Sequence, residues 1–510
     1  MTRAAPHRLT LWAMLAFGLL WLATVHADLG DLAGDSAKYV ALARALVTGH
    51  GYRSIYLVGS PLHGEVPPLF PLALAPIVAI VGLNAWWLHL WMVILAIVAL
   101  ALVRQCLRLR TDDTTALLAT LLTGSSVIWW DGVSRIMSDV PFVGVVALAC
   151  VWLERYRQTT TVTRSVWCVA FVGVMAAFLT RTVGVLLVSA AALTLLRTGR
   201  VAQRSSDWRR RTIALVMWWL VVCGAWWAYV TYAGRHTNGP FYLTQWQLAQ
   251  PMGPVAAPLD AVTFWQRIVW NVRYYAAEAA RIVCPPHEHV SPWPEVTAWL
   301  FLGVAIVGAR RLWHSAEAVE WCFLLLYGGA VLLWSYRDSR FLLPLVPWLW
   351  LSFLTGLRRL LRLNIYAIIV VGLVVFQSVA MGGEMRRHLA DTLLGAHQRA
   401  FIAANRWFAG HTPADSVILS SKPSVTWWYS GRQAMPYPPI PSGASAAEVR
   451  AALRSQPAEY LLLDAFAANV NRVIVPALVG ETRDLRLAAV FGETLILQRV
   501  RRSPTAPSRP

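Results

Sequence analysis

Eleven apolar stretches divide this chain of 510 residues, and the arginines between them fall on alternate sides. A helix that crosses the hydrocarbon core of a bilayer needs roughly 20 apolar residues, with about 17 to 25 tolerated. The spacing predicts spans near 9–27, 84–103, 114–130, 137–153, 165–180, 183–197, 212–231, 294–310, 319–336, 340–356 and 364–382. Lipid cannot hydrogen-bond an open backbone, so apolar runs of this length specify a transmembrane helical bundle. The segments carrying Arg104/Arg108/Arg110, Arg155/Arg157/Arg164, Arg197 to Arg211, Arg310/Arg311 and Arg358/Arg359/Arg362 all fall on one side. The positive-inside rule makes that side cytoplasmic. The loop Asp28 to Pro67 then faces away from the cytoplasm, and an odd number of spans leaves the C-terminal region outside as well.

The N-terminus carries Arg3 and Arg8 before an apolar run, and Val25-His26-Ala27 resembles a cleavage site for a secretory signal. Because many spans follow, we read it as an uncleaved first span. Composition agrees with a membrane protein: 57% of residues are hydrophobic and 14% charged, against about half and a quarter in soluble domains. A net charge of +19 would suggest nucleic-acid binding, but the arginines flank the spans, so no nucleic-acid partner is expected. Many of the 27 tryptophans also flank spans, where the indole prefers the headgroup layer. The six cysteines form no CxxC and no pairing pattern, and of these only Cys284 lies in an expected external loop. Neither a disulfide framework nor a thiolate metal site is expected.

Pro67 to Leu83 is apolar but short, with prolines at 67, 68, 71 and 76. Counting it as a span would send Arg104, Arg108 and Arg110 outward, so it is expected to be an interfacial or re-entrant helix walling the site. Arg235 to Pro294 reads as a long external loop with an amphipathic helix near Phe264 to Arg281. From Gly383 the chain changes character. Helices over His397–Ala409 and Ala446–Arg454 alternate with strands at Val417–Leu419, Tyr460–Leu463 and Thr494–Leu497, which predicts a small α/β unit. The expected organisation is a mainly α transmembrane domain over 1–382, a small extracytoplasmic α/β domain over 383–500, and a disordered tail over 501–510.

Two carboxylates stand out on the external side. Asp35, in Gly34-Asp35-Ser36-Ala37-Lys38-Tyr39, begins a helix, as does Asp139 in Ser138-Asp139-Val140-Pro141. Either could merely complement a helix dipole, and Asp28, Asp31 and Asp131 compete for the same roles. Held at one membrane face, a carboxylate pair can bind a divalent cation, or one can act as base while the other binds metal. Glu65, beside the proline-containing segment, faces either the cavity or solvent. Arg337 and Arg340 sit at the external mouth against the positive-inside trend, and Arg181 is also external. Their guanidinium forks match phosphate oxygens, although Arg340 could equally pair with Asp338. His287 and His289 form a weak metal candidate beside Glu288. Neither a G-x-x-x-x-G-K-[ST] loop nor a GxGxxG is present.

Taken in order, Gly34-Asp35-Ser36-Ala37-Lys38-Tyr39 with Gly49-His50-Gly51-Tyr52, Val66-Pro67-Pro68-Leu69-Phe70-Pro71, Met137-Ser138-Asp139-Val140-Pro141, Leu179-Thr180-Arg181-Thr182 and Arg340-Phe341-Leu342-Leu343-Pro344 resemble the GT-C membrane glycosyltransferases. The aminoarabinose lipid A transferases and protein O-mannosyltransferases are nearest in style. The resemblance implies a polyprenyl-phosphate-sugar donor, a lipid, glycan or protein acceptor, inversion at the sugar carbon and an external active site. It also implies Asp35 as the base or metal-associated catalytic carboxylate with Asp139 as its partner; Tyr39, Glu65, Arg181, Arg337 and Arg340 are the candidate substrate contacts. Those enzymes often carry Asp-Glu in the first motif, where this chain has Asp35-Ser36, which leaves dependence on a divalent metal open. The alternative class is a polytopic transporter or lipid-linked sugar flippase. Such proteins place charges mid-membrane and repeat their halves; here the charges cluster at span ends and no repeat is visible.

Overall fold

The computed structural model describes residues 5–30, 32, 34–158, 164–201, 206–234, 259–283, 294–314, 319–389, 394–438, 440, 443–465, 470–479 and 484–500. Asp31, Cys284, His287, His289 and the tail 501–510 lie outside them.

Each of the eleven apolar stretches is helical, from Ala5–Leu22 through Leu363–Leu389. Among the described residues three helices, Ala85–Leu107, Trp208–Gly234 and Leu363–His388, are by themselves long and apolar enough to cross a membrane, and the pair Asp113–Ser125 and Val127–Val133, bent by 63°, makes a fourth if counted as one span. The others are shorter or carry terminal charges, as Asp139–Gln158 does with Glu154, Arg155 and Arg157. The structure therefore bears out eleven helical segments but not eleven crossings. Apolar side chains point outward along these helices: on Leu363–Leu389, Ile368 is 71% exposed and Val371 63%. Such a surface suits lipid and would be a liability in water.

The bundle has two charged ends. Asp139 begins a helix whose other end holds Glu154, about 22 Å away at 1.5 Å per residue. At that far end Arg110 pairs with Glu154 at 2.9 Å and with Glu320. Arg108 meets Asp113 at 2.6 Å, and Arg358 meets Asp112 at 2.8 Å. Two of the clusters assigned to one membrane side, Arg104–Arg110 and Arg358–Arg362, thus share one end.

The Asp35–Val47 helix lies at the other end, packed on Leu69–Val81. The latter, containing Pro76 and only 13 residues long, is too short to cross a bilayer. The C-terminal segment folds into a five-stranded mixed sheet of order β2-β1-β3-β5-β4, with β1 at Ile418–Ser420, β2 at Ala434–Met435, β3 at Tyr460–Leu463, β4 at Leu485–Phe491 and β5 at Thr494–Arg499. β1 runs parallel to β2 and β3, and β5 is antiparallel to β3 and β4. The expected helices are present as Ala396–His411 and Ala446–Arg454, the second closed by a capping box between Ser445 and Glu448. β2, β4 and the helix Pro423–Ser430 are additional.

One face of the sheet joins the bundle. Ile418, Tyr460 and Ile496 share an apolar cluster with Phe401 and Phe408 and with Ala37, Val40 and Leu42 of the Asp35 helix. Gly34 precedes that helix at φ 103°, a left-handed conformation that glycine adopts without steric cost. Its carbonyl accepts a hydrogen bond from Ser424 Oγ at 2.8 Å, and a Cβ there would meet that oxygen at 3.2 Å. The sheet unit thus buttresses the helix that presents Asp35.

Candidate active site

Four segments converge at this end: the helix beginning at Asp35, the loop through Glu65, the helix beginning at Asp139, and the turn Ser339–Leu342. Arg340 Nη1 donates to Asp35 Oδ2 at 2.9 Å. Lys38, one turn along the helix, places its Nζ 3.7 Å from Asp35 Oδ1 and 2.6 Å from Glu65 Oε2. Asp139, 3% exposed, is paired with Arg181, the residue entering the turn Thr182–Gly184. Tyr39 and Ser138 join the two halves through their hydroxyls at 2.9 Å. Both Asp35 and Asp139 act electrostatically on Arg340. The two carboxylates expected to pair therefore lie in one network, each holding an arginine.

The electrostatics follow from this pairing. Burial opposes ionisation of Asp35, but Lys38, Arg340 and Arg181 outweigh it and hold its pKa down at about 2. Lys38 is likewise opposed by burial, yet Glu65 and Asp35 keep it charged far above its ordinary range. Glu65 is held below the usual carboxylate range by Lys38. His63 is pushed down to about 4 by burial. Its Nε2 accepts from the Val66 N–H at 3.2 Å, so its Nδ1 carries the proton that faces Ser54 Oγ at 2.9 Å. That neutral histidine fixes the loop carrying Glu65.

An apolar cavity of about 400 Å³ opens beside the network, lined by Tyr39, Glu65, Arg181, Trp226, Tyr327 and Phe341 among others. Charged groups occupy its polar end and aromatic and aliphatic side chains the remainder. The segment expected to wall the site does so at its start: Pro67 lines the cavity, while Phe70 of the following helix packs edge-on against Tyr39 at 4.8 Å.

Of the expected residues, Asp35, Asp139, Tyr39, Glu65, Arg181 and Arg340 are brought together. Arg337 is not; its guanidinium lies over Trp270 at 5.6 Å, while Arg340 is carried by the 339–342 turn that follows. Arg340 also makes the contact weighed against a binding role, to Asp338 at 3.1 Å. Asp28 pairs with Arg406 and Asp131 with Arg135, each at 2.7 Å, away from this network. Lys38 and His63 were missed; Lys38 was legible in principle, because residues three apart on a helix are neighbours.

The described residues at this site do not form a divalent-metal ligand set. Among the described residues no three His, Cys, Asp or Glu side chains converge as metal ligands, and Asp35 and Asp139 are each engaged by a cation.

Comparison with known proteins agrees with this architecture. Residues 65–229, which include Glu65, Asp139 and Arg181, match the family of dolichyl-phosphate-mannose-protein mannosyltransferases. No curated protein matches in sequence. Among solved structures, the chain is similar to ArnT from Cupriavidus metallidurans bound to undecaprenyl phosphate, with TM-score 0.56 and 12% identity over 98% of this chain and 99% of that one. It is also similar to the Archaeoglobus fulgidus oligosaccharyltransferase tethered to an acceptor peptide, with TM-score 0.55 and 10% identity over 89% of this chain and 69% of that one. The chain thus shares the fold of these two membrane-protein structures.

Proposed function

We propose that this protein transfers a sugar from a polyprenyl-phosphate donor to an acceptor at the extracytoplasmic membrane face, with inversion at the sugar carbon. The observation that carries the reading is the network of Lys38, Arg181 and Arg340, neutralised by Glu65, Asp139 and Asp35 at the mouth of an apolar cavity. Relatives of this fold hold undecaprenyl phosphate or dolichol phosphate, ligands with one anionic end and one apolar end.

The chemistry follows from charge exchange. The donor phosphate competes with the protein's carboxylates for Lys38, Arg181 and Arg340. Its prenyl tail stays against apolar side chains or lipid. Once the cations turn to the phosphate, Asp35 loses the interactions that depress its pKa and becomes a better base. The acceptor oxygen or nitrogen attacks the sugar's anomeric carbon from the face opposite the phosphate. The bond from that carbon to the phosphate oxygen breaks, the acceptor proton passes to Asp35, and the leaving phosphate takes the electron pair. The same cations stabilise the charge it gains in the transition state. Asp139 holds Arg181 in place, and Tyr39 ties the two halves together.

The decisive experiment is lipid analysis of cells lacking the protein. A polyprenyl-phosphate sugar should accumulate and return to normal with the wild-type gene but not with Asp35→Asn. An unchanged lipid pool would remove the reading. A reporter fused after Arg432 should be active only as an external fusion; cytoplasmic activity would overturn the sidedness.

A further inference from the structure

The amphipathic helix expected near 264–281 runs over Ala261–Val283, and its faces are inverted for a helix on a water-facing surface. Val262, Trp265 and Val269 point outward, while Arg267, Asn271 and Glu278 are buried. Burying an amide costs free energy unless it finds hydrogen-bond partners. The partners of Asn271, 1% exposed, therefore identify its role.

Asn271 Nδ2 donates to the carbonyls of Leu332 and Trp334, each at 2.8 Å. Arg267 Nη1 reaches the carbonyl of Leu333, between them, at 3.5 Å. Leu332 and Leu333 end the helix Val319–Leu333, whose last carbonyls have no partner inside the helix. Residues 334–338 then form neither helix nor strand and lead into the 339–342 turn. Such a connector has no backbone ladder of its own, so side chains must fix its course. Asn271 holds its start. The adjacent helix residue, Trp270, takes the Arg337 guanidinium over its ring at 5.6 Å and holds its far end. The turn is fixed in turn by Tyr327, whose hydroxyl donates to the Phe341 carbonyl at 3.0 Å, and by Asp338, which accepts from the Arg340 N–H at 3.1 Å. The gripping helix is itself anchored: Gln377 Nε2, on the helix Leu363–Leu389, donates to the carbonyls of Ile282 and Val283 at 2.6 and 2.8 Å.

We infer that Asn271 is a positioning residue for Arg340. With Trp270 and Arg337 it sets the path of residues 332–337, and through that path the point at which the Arg340 guanidinium meets Asp35 and then the donor phosphate. The inference rests on the transferase reading above. Arg337 acts in it as an anchor, not as a substrate contact. Hydrogen bonds depend steeply on distance and angle, so a shift in the connector reaches Arg340 as lost phosphate affinity.

The test is a double-mutant cycle on undecaprenyl phosphate affinity, measured by titrating the lipid into the full-length protein in nanodiscs. Asn271→Leu removes both donors at similar size and should weaken binding about tenfold, the scale of a hydrogen bond. Arg337→Gln, at an exposed position, removes the ring contact and should weaken binding about threefold. In an Arg340→Ala background neither substitution should weaken it further, because the residue they position is gone. Gln266→Ala, on the exposed face of the same helix, is the control and should leave the affinity unchanged in both backgrounds. A merely structural role would give the same loss with Arg340 and without it. Equal losses in the two backgrounds, or no loss in the wild-type one, would overturn the inference and spare the transferase reading. Should Asn271→Leu not fold, the Arg337→Gln cycle decides alone. An unchanged affinity in Arg340→Ala by itself would overturn the phosphate reading, and the inference with it.

Discussion

Arg340 Nη1 donates to Asp35 Oδ2 at 2.9 Å across 305 positions of sequence. The contact closes the site, because the helix carrying Asp35 and the turn carrying Arg340 lie far apart along the chain. It also means that the protein's own carboxylates hold the cations a phosphate would use. Removing one member of such a pair leaves its partner uncompensated, so each substitution below has a defined sign.

Arg340→Ala should weaken polyprenyl phosphate binding more than acceptor binding. A charge-assisted contact contributes roughly 1.5–3 kcal/mol, or about 10- to 150-fold in Kd. Arg340→Lys should recover only part of the loss, since an ammonium cannot present two parallel donors. Lys38→Met should act in the same direction. Titration of the lipid into purified variants measures this, and an unchanged Kd would return Arg340 to the role of a partner for Asp338.

The pH dependence has a worked sign. The pKa of Asp35 in the free protein is depressed to about 2. Its ion pairs are therefore in force above the ordinary carboxylate range and are lost only as pH falls through about 2. Donor binding draws Lys38 and Arg340 toward the phosphate and adds a negative charge, and both raise that pKa. The acid limb of kcat, which reports the bound complex, should therefore lie at higher pH than that of kcat/KM, which reports the free enzyme. Coincident limbs would contradict charge exchange.

A structural prediction concerns Gly308 and Gly356. The helices Pro294–His314 and Val346–Leu360 cross so closely that a Cβ on Gly308 would lie 1.8 Å from the Ser352 carbonyl oxygen, and one on Gly356 would lie 2.1 Å from that of Val304. Small residues permit such backbone approach between membrane helices. Gly308→Ala should cost about 1–3 kcal/mol by overpacking. It should also lower donor affinity, because the second helix follows directly on the 339–342 turn. Gly303→Ala, where a Cβ meets nothing within 4 Å, is the control. Thermal unfolding in detergent separates them, and equal midpoints would refute the tight crossing.

Much of this was legible because apolar length and helix-start residues are local signals. The helical stretches and the placing of Asp35, Asp139, Arg181 and Arg340 at one end were read from apolar length, the arginine pattern and motif order. The partners were not legible. Nothing local says that Arg340 faces Asp35 while Arg337 turns to Trp270, since both contacts are to residues far along the chain. Lys38 was hidden inside a motif read for its carboxylate. β2 is only two residues long, too few for a pattern, and the alternation of β4 is broken by a register shift between Leu487 and Ala489.

The central claim is that Asp35 competes with a lipid phosphate for Arg340 and Lys38 and then serves as base. Asp35→Asn keeps the shape and removes the charge, so undecaprenyl phosphate binding and single-turnover sugar transfer, measured on the same preparation, test it most directly. The account predicts lipid binding as tight as wild type or tighter, with the transfer rate reduced on the order of 10²–10⁴-fold. Weakened lipid binding together with near-normal transfer would contradict it.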